Sequence, residues 1–219
     1  MSETLARLGE AGAVPVLRAP TAEVALRAAE ALVEGGVKAL EVTFTVPGAE
    51  QVLTEAARRY PHLLLGAGTV LDEEVARRAL AAGARFIVSP VVCEALLRLS
   101  SGGGVDVIPG AASPTEVYRA MAGGATVVKV FPASCLGGPA YLRALRGPFP
   151  AVRLLPTGGV KVQDIPAYLE AGAFAVGMGS ELLGHLRDDA DFAAITARTR
   201  EVMAVVESWR QLRGHPLSV

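Results

Sequence analysis

One lysine interrupts an apolar, β-branched run, VVKVFPA at residues 127–133. The chain has three lysines among its 21 lysine and arginine residues, so a lysine at this place is unusual for it. Side chains alternate along a strand, which predicts that Val127, Lys129 and Phe131 share one face and that the valines between them share the other. With those valines under helices, Lys129 points into the protein, where burial favours the neutral amine. Such an amine is the nucleophile that forms a Schiff base with a ketone.

A carboxylate is predicted to share that interior. In the run ALEVTF at residues 39–44, Glu41 and Thr43 alternate with the apolar residues Leu40 and Val42. Both are therefore predicted to point into the barrel interior, as Lys129 does. A carboxylate beside a nucleophilic lysine can take and return protons while the carbinolamine forms and at the carbon next to the imine. The lysine and the glutamate are also compatible with a buried structural ion pair, and the pattern leaves both interpretations open.

Two glycine-rich segments, PTGG at 156–159 and GMGS at 177–180, end the last two predicted strands. In barrels of parallel strands, the backbone N–H groups of such loops often hold a phosphate. Thr157 and Ser180 add hydroxyl groups that can donate to the same phosphate. The alternative for Gly158–Gly159 is a tight turn without a ligand, and the sequence leaves that alternative open.

Composition narrows the possible partners. The net charge of −1 gives no reason to expect nucleic acid or a charged membrane surface as a partner. The sequence has no His or Cys cluster and no acidic residues at metal-ligand spacing, so we expect no metal cofactor. Two cysteines cannot build a disulfide framework, the first residues do not resemble a signal peptide, and no apolar run reaches the roughly 18–20 residues of a membrane span. We therefore expect a cytoplasmic protein whose partner is a small molecule.

The elements that must position these residues alternate along the whole chain. Helical patterns begin at cap residues, of which Thr21, Asp72 and Ser113 are the predicted ones, and end at glycines, while Pro166 is expected to delay or kink a further helix. Between the helical patterns lie β-like runs at 13–19, 39–44, 63–70, 85–90, 105–112, 127–133, 153–159 and 174–180.

This order predicts an α/β fold with parallel strands, because each helix must cross back over the sheet. Eight such units in 219 residues favour a single-domain (β/α)8 TIM barrel over an open doubly wound sheet, and no G-x-G-x-x-G follows the first strand. We expect one domain over residues 1–219, with an N-terminal helical segment and a long C-terminal helix at roughly 189–210. Chemistry in such a barrel lies where strands end and βα loops begin.

Seven short motifs occur in order along the chain: EVTFTVP (41–47), GAGTV (66–70), FIVSP (86–90), IPGAASPTE (108–116), KVFPA (129–133), GPFP (147–150) and PTGG (156–159). Taken as an ordered set, they resemble the motifs of the bacterial family of aldolases for 2-keto-3-deoxy-6-phosphogluconate (KDPG) and 4-hydroxy-2-oxoglutarate. The resemblance runs from about residue 5 to about residue 185. It implies a class I, metal-independent aldolase that cleaves KDPG to pyruvate and glyceraldehyde 3-phosphate, and a homotrimer of barrels. Some members of the family also cleave the galactonate epimer of KDPG or 4-hydroxy-2-oxoglutarate.

By position, the resemblance makes Lys129 the Schiff-base lysine and Glu41 the general acid and base. Thr69 corresponds to a residue that helps to hold the pyruvyl carboxylate, with Thr43 as a further substrate-binding candidate. The other positions carried over are Phe131 and Pro90 for the wall of the pyruvyl pocket, and Thr157, Gly158, Gly159, Gly179 and Ser180 for the phosphate.

One position departs from the family pattern. Many members read EVTLRT and use the arginine for the substrate carboxylate, where this chain has Thr45. We predict that Arg18, at the end of the first strand, replaces that arginine from a different strand.

Two other functions stay open on the sequence alone. A sugar-phosphate isomerase or epimerase would use the same barrel and phosphate loops, with the lysine as an electrostatic partner and the glutamate as a base. A non-catalytic phosphometabolite-binding protein would use the Lys–Glu pair for structure only.

Overall fold

Strands and helices alternate along the chain in the computed structural model, which describes residues 1–101, 104–187 and 190–213. Residues 102–103, 188–189 and 214–219 of the predicted domain lie outside the described residues, and its extent over 1–219 stays a prediction. The strands are β1 (Ala13–Leu17), β2 (Ala39–Thr43), β3 (Leu64–Gly68), β4 (Phe86–Val88), β5 (Asp106–Ile108), β6 (Gly110–Ala111), β7 (Val127–Val130), β8 (Arg153–Pro156) and β9 (Val176–Met178). The α-helices are α1 (Glu3–Ala11), α2 (Ala22–Glu34), α3 (Ala49–Arg59), α4 (Glu73–Ala81), α5 (Glu94–Ser101), α6 (Pro114–Ala122), α7 (Gly138–Arg146), α8 (Ile165–Glu170), α9 (Ser180–Leu183) and α10 (Phe192–Arg213).

The strands pair in parallel and close into a ring. Six of them form one sheet in the order β5-β4-β3-β2-β1-β9, and the other three form a second sheet in the order β6-β7-β8. Strands β5 and β6 are two halves of the predicted run 105–112, interrupted at Pro109, whose carbonyl oxygen accepts a hydrogen bond from the Lys129 backbone N–H at 2.8 Å. On the other side, isolated parallel bridges at Leu154 and Thr157 join β8 to the chain around β9. The predicted (β/α)8 TIM barrel is therefore confirmed.

The N-terminal end of the barrel is filled by apolar side chains. Leu5 and Leu8 of α1 belong to one buried cluster with side chains that the strands direct inward, including Leu64, Phe86 and Val127. Helix α1 comes directly before β1, so it closes the barrel at the end where the strands begin. The polar interior residues are thereby left to the carboxyl end.

A second buried layer separates the strands from the surrounding helices. It contains the other faces of the same strands, among them Leu40 and Val42 of β2, and Val128 and Val130 of β7. The alternation predicted for residues 127–131 is thus present, with Val127 inside the barrel and its two neighbouring valines outside. This alternation fixes the direction of Lys129.

The predicted helix starts are confirmed. The side chains of Thr21, Asp72 and Ser113 each accept a hydrogen bond from the backbone N–H three residues later, as N-caps do. Pro166 lies in the first turn of α8, after a 3₁₀ turn at Val162–Asp164. The long C-terminal helix, α10, is displaced by three residues from its predicted bounds. In the part of the chain that the structure describes, no helix is both long and apolar enough to span a bilayer.

Candidate active site

Lys129 and Glu41 meet inside the barrel. Lys129 extends from β7 and Glu41 from β2, and their side chains are only 6% and 1% exposed. The Lys129 Nζ lies 3.7 Å from the Glu41 Oε1, which makes an ion pair but is too long for a direct hydrogen bond. The two side chains are therefore close enough to act on one small molecule.

Oε1 of Glu41 is the atom that faces the lysine. Among the described residues, none donates a hydrogen bond to this buried oxygen. Buried acceptors in native proteins are normally satisfied, and those that are not are often found where chemistry takes place. Oε1 is therefore a buried acceptor that faces the Lys129 amine with no hydrogen bond from the described residues.

Phe131 and the PTGG loop form one wall near the amine. The Phe131 ring centroid lies 5.3 Å from Nζ, within the range of a cation–π contact, and the side chain is 38% exposed. A Cβ at Gly158 would lie 3.2 Å from the ring, and the φ of +92° there favours glycine in any case. The aromatic ring is thus held over the lysine at the mouth of the barrel.

Arg18 reaches the position that departs from the family pattern. Its Nε donates a hydrogen bond to the Thr45 hydroxyl at 3.2 Å. The hydroxyls of Thr45 and Thr43 lie 2.8 Å apart, and the Thr43 hydroxyl donates to the Leu17 carbonyl oxygen at 3.0 Å. Both Arg18 and Thr45 are exposed, whereas Thr43 is buried. This chain of contacts places the guanidinium beside Thr45, which follows β2 and is the position where the family pattern has an arginine.

Thr69 and Pro90 lie at the ends of β3 and β4, and both are half-buried. Thr69 has a φ of +58°, which non-glycine residues rarely adopt and which is found disproportionately at functional sites. The backbone at Pro90 passes so close to Gly110 that a Cβ on that glycine would overlap with it. Both predicted residues therefore lie at the carboxyl ends of strands on the Lys129–Glu41 side of the barrel.

The two glycines of the PTGG segment adopt the backbone conformation of a tight turn. Gly158 and Gly159 have φ values of +92° and +72°, in the left-handed region. The Thr157 side chain is buried, and a Cβ at Gly177 would overlap with its hydroxyl. Glycine is favoured at all three positions, so the PTGG segment makes the expected tight turn, and its binding of phosphate stays a prediction.

The GMGS segment opens onto a cleft of about 670 Å³ between the ends of β9 and β1. Gly179 and Ser180 line this cleft together with two arginines, Arg18 and Arg187, and with His185. The sequence did not predict that His185 and Arg187 line this cleft, because they lie in a loop, where no periodic pattern shows the direction of a side chain. The cleft gives the predicted phosphate segment a positively charged surrounding.

The loop after β6 is held by contacts that the SPTE pattern at 113–116 signals only indirectly. The Glu116 carboxylate accepts hydrogen bonds from the Ala112 N–H at 2.8 Å and from the Ser113 hydroxyl at 2.9 Å. The same hydroxyl accepts from the Glu116 backbone N–H at 3.3 Å, as an N-cap does. The Ala112 N–H first, and then the Ser113 hydroxyl, hold the pKa of Glu116 below its usual value. Tyr141 donates to the Ala112 carbonyl oxygen at 2.9 Å, and burial raises the pKa of this phenol. These contacts support β6, where Gly110 pairs with Lys129.

Over the described ranges, no three His, Cys, Asp or Glu side chains converge in a way that could hold a metal ion. The structure brings the predicted residues together in three groups. Lys129 contacts both Glu41 and Phe131, Arg18 contacts Thr45 and through it Thr43, and Arg18 shares a cleft with Gly179 and Ser180.

Comparison with known proteins places the chain in one family. The model of the family "KDPG and KHG aldolase" matches residues 5–198, KHG being another name for 4-hydroxy-2-oxoglutarate. The 2-dehydro-3-deoxy-phosphogluconate aldolase of Treponema pallidum is 39% identical over 200 residues, which cover 88% of this chain and 92% of that protein.

Two solved structures are similar along almost their whole length. The KDPG aldolase of Legionella pneumophila, with pyruvate captured at low pH as a covalent carbinolamine, is 33% identical and has a TM-score of 0.83, covering 92% of this chain and 98% of that one. The KDPG aldolase of Zymomonas mobilis with 3-phosphoglycerate is 34% identical and has a TM-score of 0.82, covering 92% and 94%.

The Glu116 contacts predict a pH-dependent contribution to stability. A carboxylate whose pKa is lower in the folded state stabilises the fold above its unfolded pKa and loses that contribution as the pH falls through the folded pKa. We expect Glu116→Gln to lower the free energy of unfolding by about 1 kcal/mol at pH 7, and the difference from wild type to shrink in strongly acidic solution. Urea unfolding from pH 7 to pH 3 measures this. The matched control is Glu74→Gln, an exposed residue in the first turn of α4, and identical pH profiles for the two variants would contradict the assignment.

Proposed function

The chain belongs to the KDPG and KHG aldolase family, and we propose that it is a class I aldolase, a carbon–carbon lyase, that cleaves KDPG to pyruvate and glyceraldehyde 3-phosphate. Cleavage of 4-hydroxy-2-oxoglutarate to pyruvate and glyoxylate is the proposed side activity. The observation that carries the proposal is the buried approach of the Lys129 Nζ to the Glu41 Oε1 at 3.7 Å inside the barrel. The family matches do not support the isomerase and binding-protein alternatives.

Lys129 is the proposed nucleophile. Its amine adds to the C2 ketone of the substrate to form a carbinolamine, and loss of water gives a protonated imine. Removal of the proton from the C4 hydroxyl then breaks the C3–C4 bond, and the electron pair of that bond moves into the imine as an enamine. Glyceraldehyde 3-phosphate leaves at this point, and no metal ion is needed because the protonated imine is the electron sink.

Glu41 is the proposed proton carrier. It helps to move protons during carbinolamine formation and returns a proton to C3 of the enamine, after which water hydrolyses the imine and releases pyruvate. Positioned proton transfer of this kind contributes about 10²–10⁴-fold to a rate. The covalent carbinolamine of the Legionella pneumophila relative supports the first step of this sequence.

The substrate carboxylate is proposed to lie between Thr69, Thr43 and the Arg18–Thr45 contact. Arg18 supplies the guanidinium that Thr45 lacks, and its hydrogen bond to Thr45 supports this placement. Phe131 and Pro90 are proposed to form the walls against which the pyruvyl part of the substrate packs.

The phosphate is proposed to bind at Thr157, Gly158, Gly159, Gly179 and Ser180. The left-handed glycines and the cationic cleft beside Gly179 and Ser180 support a phosphorylated main substrate over one without phosphate. The Zymomonas mobilis relative, solved with 3-phosphoglycerate, supports the same preference.

The proposed location is the cytoplasm, where cysteines stay reduced, and the free thiols of Cys93 and Cys135 support this location.

The proposed assembly is a homotrimer. Leu71, Val91 and Tyr118 are large apolar side chains that remain exposed, and Val91 and Tyr118 line one groove. Exposed apolar groups that share a groove are typical of subunit contacts.

The imine can be trapped chemically. With pyruvate and borohydride, we expect wild type to gain one reduced pyruvyl group at Lys129, identified by peptide mass spectrometry, and to lose activity. Lys129→Ala is expected to lose turnover almost completely and to remain unlabelled. The proposal would be wrong if the label were found on Lys38 or Lys161, or if wild type were not labelled at all.

Arg18 can be tested through the affinity for pyruvate. Removing one charge-assisted contact is expected to weaken binding by about 10-fold or more, so Arg18→Ala should raise the pyruvate concentration needed for half-maximal trapping and lower the rate of cleavage. Arg143→Ala, on the exposed face of α7, is the matched control. Unchanged pyruvate affinity and cleavage rate in Arg18→Ala would remove this residue from the site.

The trimer can be tested by sedimentation equilibrium. We expect a mass about three times the 22.6 kDa of one chain. The double variant Val91→Asp/Tyr118→Asp should dissociate, since a charge in an apolar contact is strongly unfavourable. Leu212→Asp, at an exposed apolar residue of α10, is the control and should keep the wild-type mass. A wild-type mass of one chain would contradict the proposal.

A further inference from the structure

We propose that Gly68 is a positioning residue of the aldolase reaction, because its missing side chain leaves the space in which the Glu41 carboxylate lies. The inference rests on the proposed function, in which Glu41 moves protons. A Cβ built on Gly68 would overlap with the Glu41 Oε1 and would lie 2.5 Å from Cδ and 2.6 Å from Cγ. All three of its nearest neighbours therefore belong to the catalytic carboxylate side chain.

The backbone gives no other reason for a glycine here. Gly68 is the last residue of β3 and pairs with Thr43 of β2. Its φ is not among the positive values of the described glycines, so an L side chain can adopt this conformation. Alanine is thus acceptable to the backbone, and the Glu41 side chain is the first group that its methyl would meet.

The position of Oε1 decides what Glu41 can do. Oε1 faces the Lys129 Nζ at 3.7 Å, occupies the place of a Gly68 Cβ, and accepts no hydrogen bond from the described residues. The ion pair with Lys129 attracts the oxygen from one side, and the space left by Gly68 lets it lie there. A methyl group at Gly68 would push the carboxylate away from β3 and change its distance to the substrate carbon bound at Lys129.

Two reactions with pyruvate separate the roles of the lysine and the carboxylate. Imine formation is measured by the extent of borohydride trapping after the imine has reached equilibrium. This extent depends on Nζ, because Glu41 changes only how fast the imine forms. Hydrogen exchange at the pyruvate methyl group in D₂O also needs Glu41. In the exchange, the C3–H proton passes to the carboxylate and its electron pair enters the imine as an enamine. The carboxyl group then exchanges its proton with solvent and returns a deuteron to C3.

Gly68→Ala is expected to slow the exchange selectively. A displacement of about 1 Å at a reacting group can cost about 10²-fold, so we expect exchange to fall by about that factor while trapping changes by less than about threefold. In the Glu41→Gln background, which itself loses exchange, adding Gly68→Ala should have no further effect, because both substitutions act on the same carboxylate.

Two further variants keep the test decisive. Ala67→Gly weakens the same strand from its outer, helix-packed face and should leave the ratio of exchange to trapping unchanged. If Gly68→Ala unfolds, Gly68→Ala/Glu41→Ala should be as stable as Glu41→Ala alone, because alanine at position 41 has no Cγ, Cδ or Oε1 with which the new methyl group could overlap.

Distinct results overturn the inference and the proposed function. Four results would each overturn the role of Gly68 alone. They are wild-type exchange in folded Gly68→Ala, an equal loss of exchange and trapping, an additive loss with Glu41→Gln, and a Gly68→Ala/Glu41→Ala variant that is less stable than Glu41→Ala. Wild-type protein that neither traps nor exchanges pyruvate would overturn the proposed function and this inference with it.

Discussion

The buried pair of Lys129 and Glu41 is the constraint on which the rest of the site depends. Removing two ionisable groups from water is expensive unless each offsets the other, so neither is explained without its partner. Strands β2 and β7 lie on opposite sides of the ring described above, and their inward side chains meet near its axis. A closed barrel is what brings together two residues that are far apart in the sequence.

The barrel interior is divided between an apolar end and a reactive end. Leu5, Leu8 and Phe86 fill the end where the strands begin, so water does not reach the pair from below. Towards the other end, glycines replace side chains where an active-site group needs the space: Gly68 beneath Glu41 and Gly177 beside Thr157. Exclusion of water strengthens electrostatic interactions inside the site, and the glycines decide where its polar groups lie.

The parts of this arrangement that follow a period were predictable from the sequence. The period of two in residues 127–131 fixed the direction of Lys129, and cap residues such as Thr21 marked the helix starts within one position. The break at Pro109 divided one predicted strand into two halves, because proline has no N–H with which to pair. The strands are shorter than the apolar runs from which they were predicted, because the last residues of each run belong to the βα loop that follows.

The parts that depend on tertiary neighbours were not predictable in the same way. The close approach of the Glu41 side chain to Gly68 depends on how β2 and β3 are aligned with each other. The contact between Arg18 and Thr45 likewise depends on the twist between β1 and β2. His185 and Arg187 line the cleft from a loop, and a loop has no periodic sequence pattern from which their position could be predicted. Local sequence determines the elements, whereas the distances that matter for chemistry come from the closure of the ring.

A crystal structure of the protein soaked with pyruvate tests the central claim most directly. The account predicts continuous electron density from the Lys129 Nζ to C2 of pyruvate, with C3 facing the Glu41 Oε1 and that carboxylate resting against Gly68. Pyruvate bound without a covalent bond, or joined to any other residue while Lys129 and Glu41 keep their pair undisturbed, would contradict it.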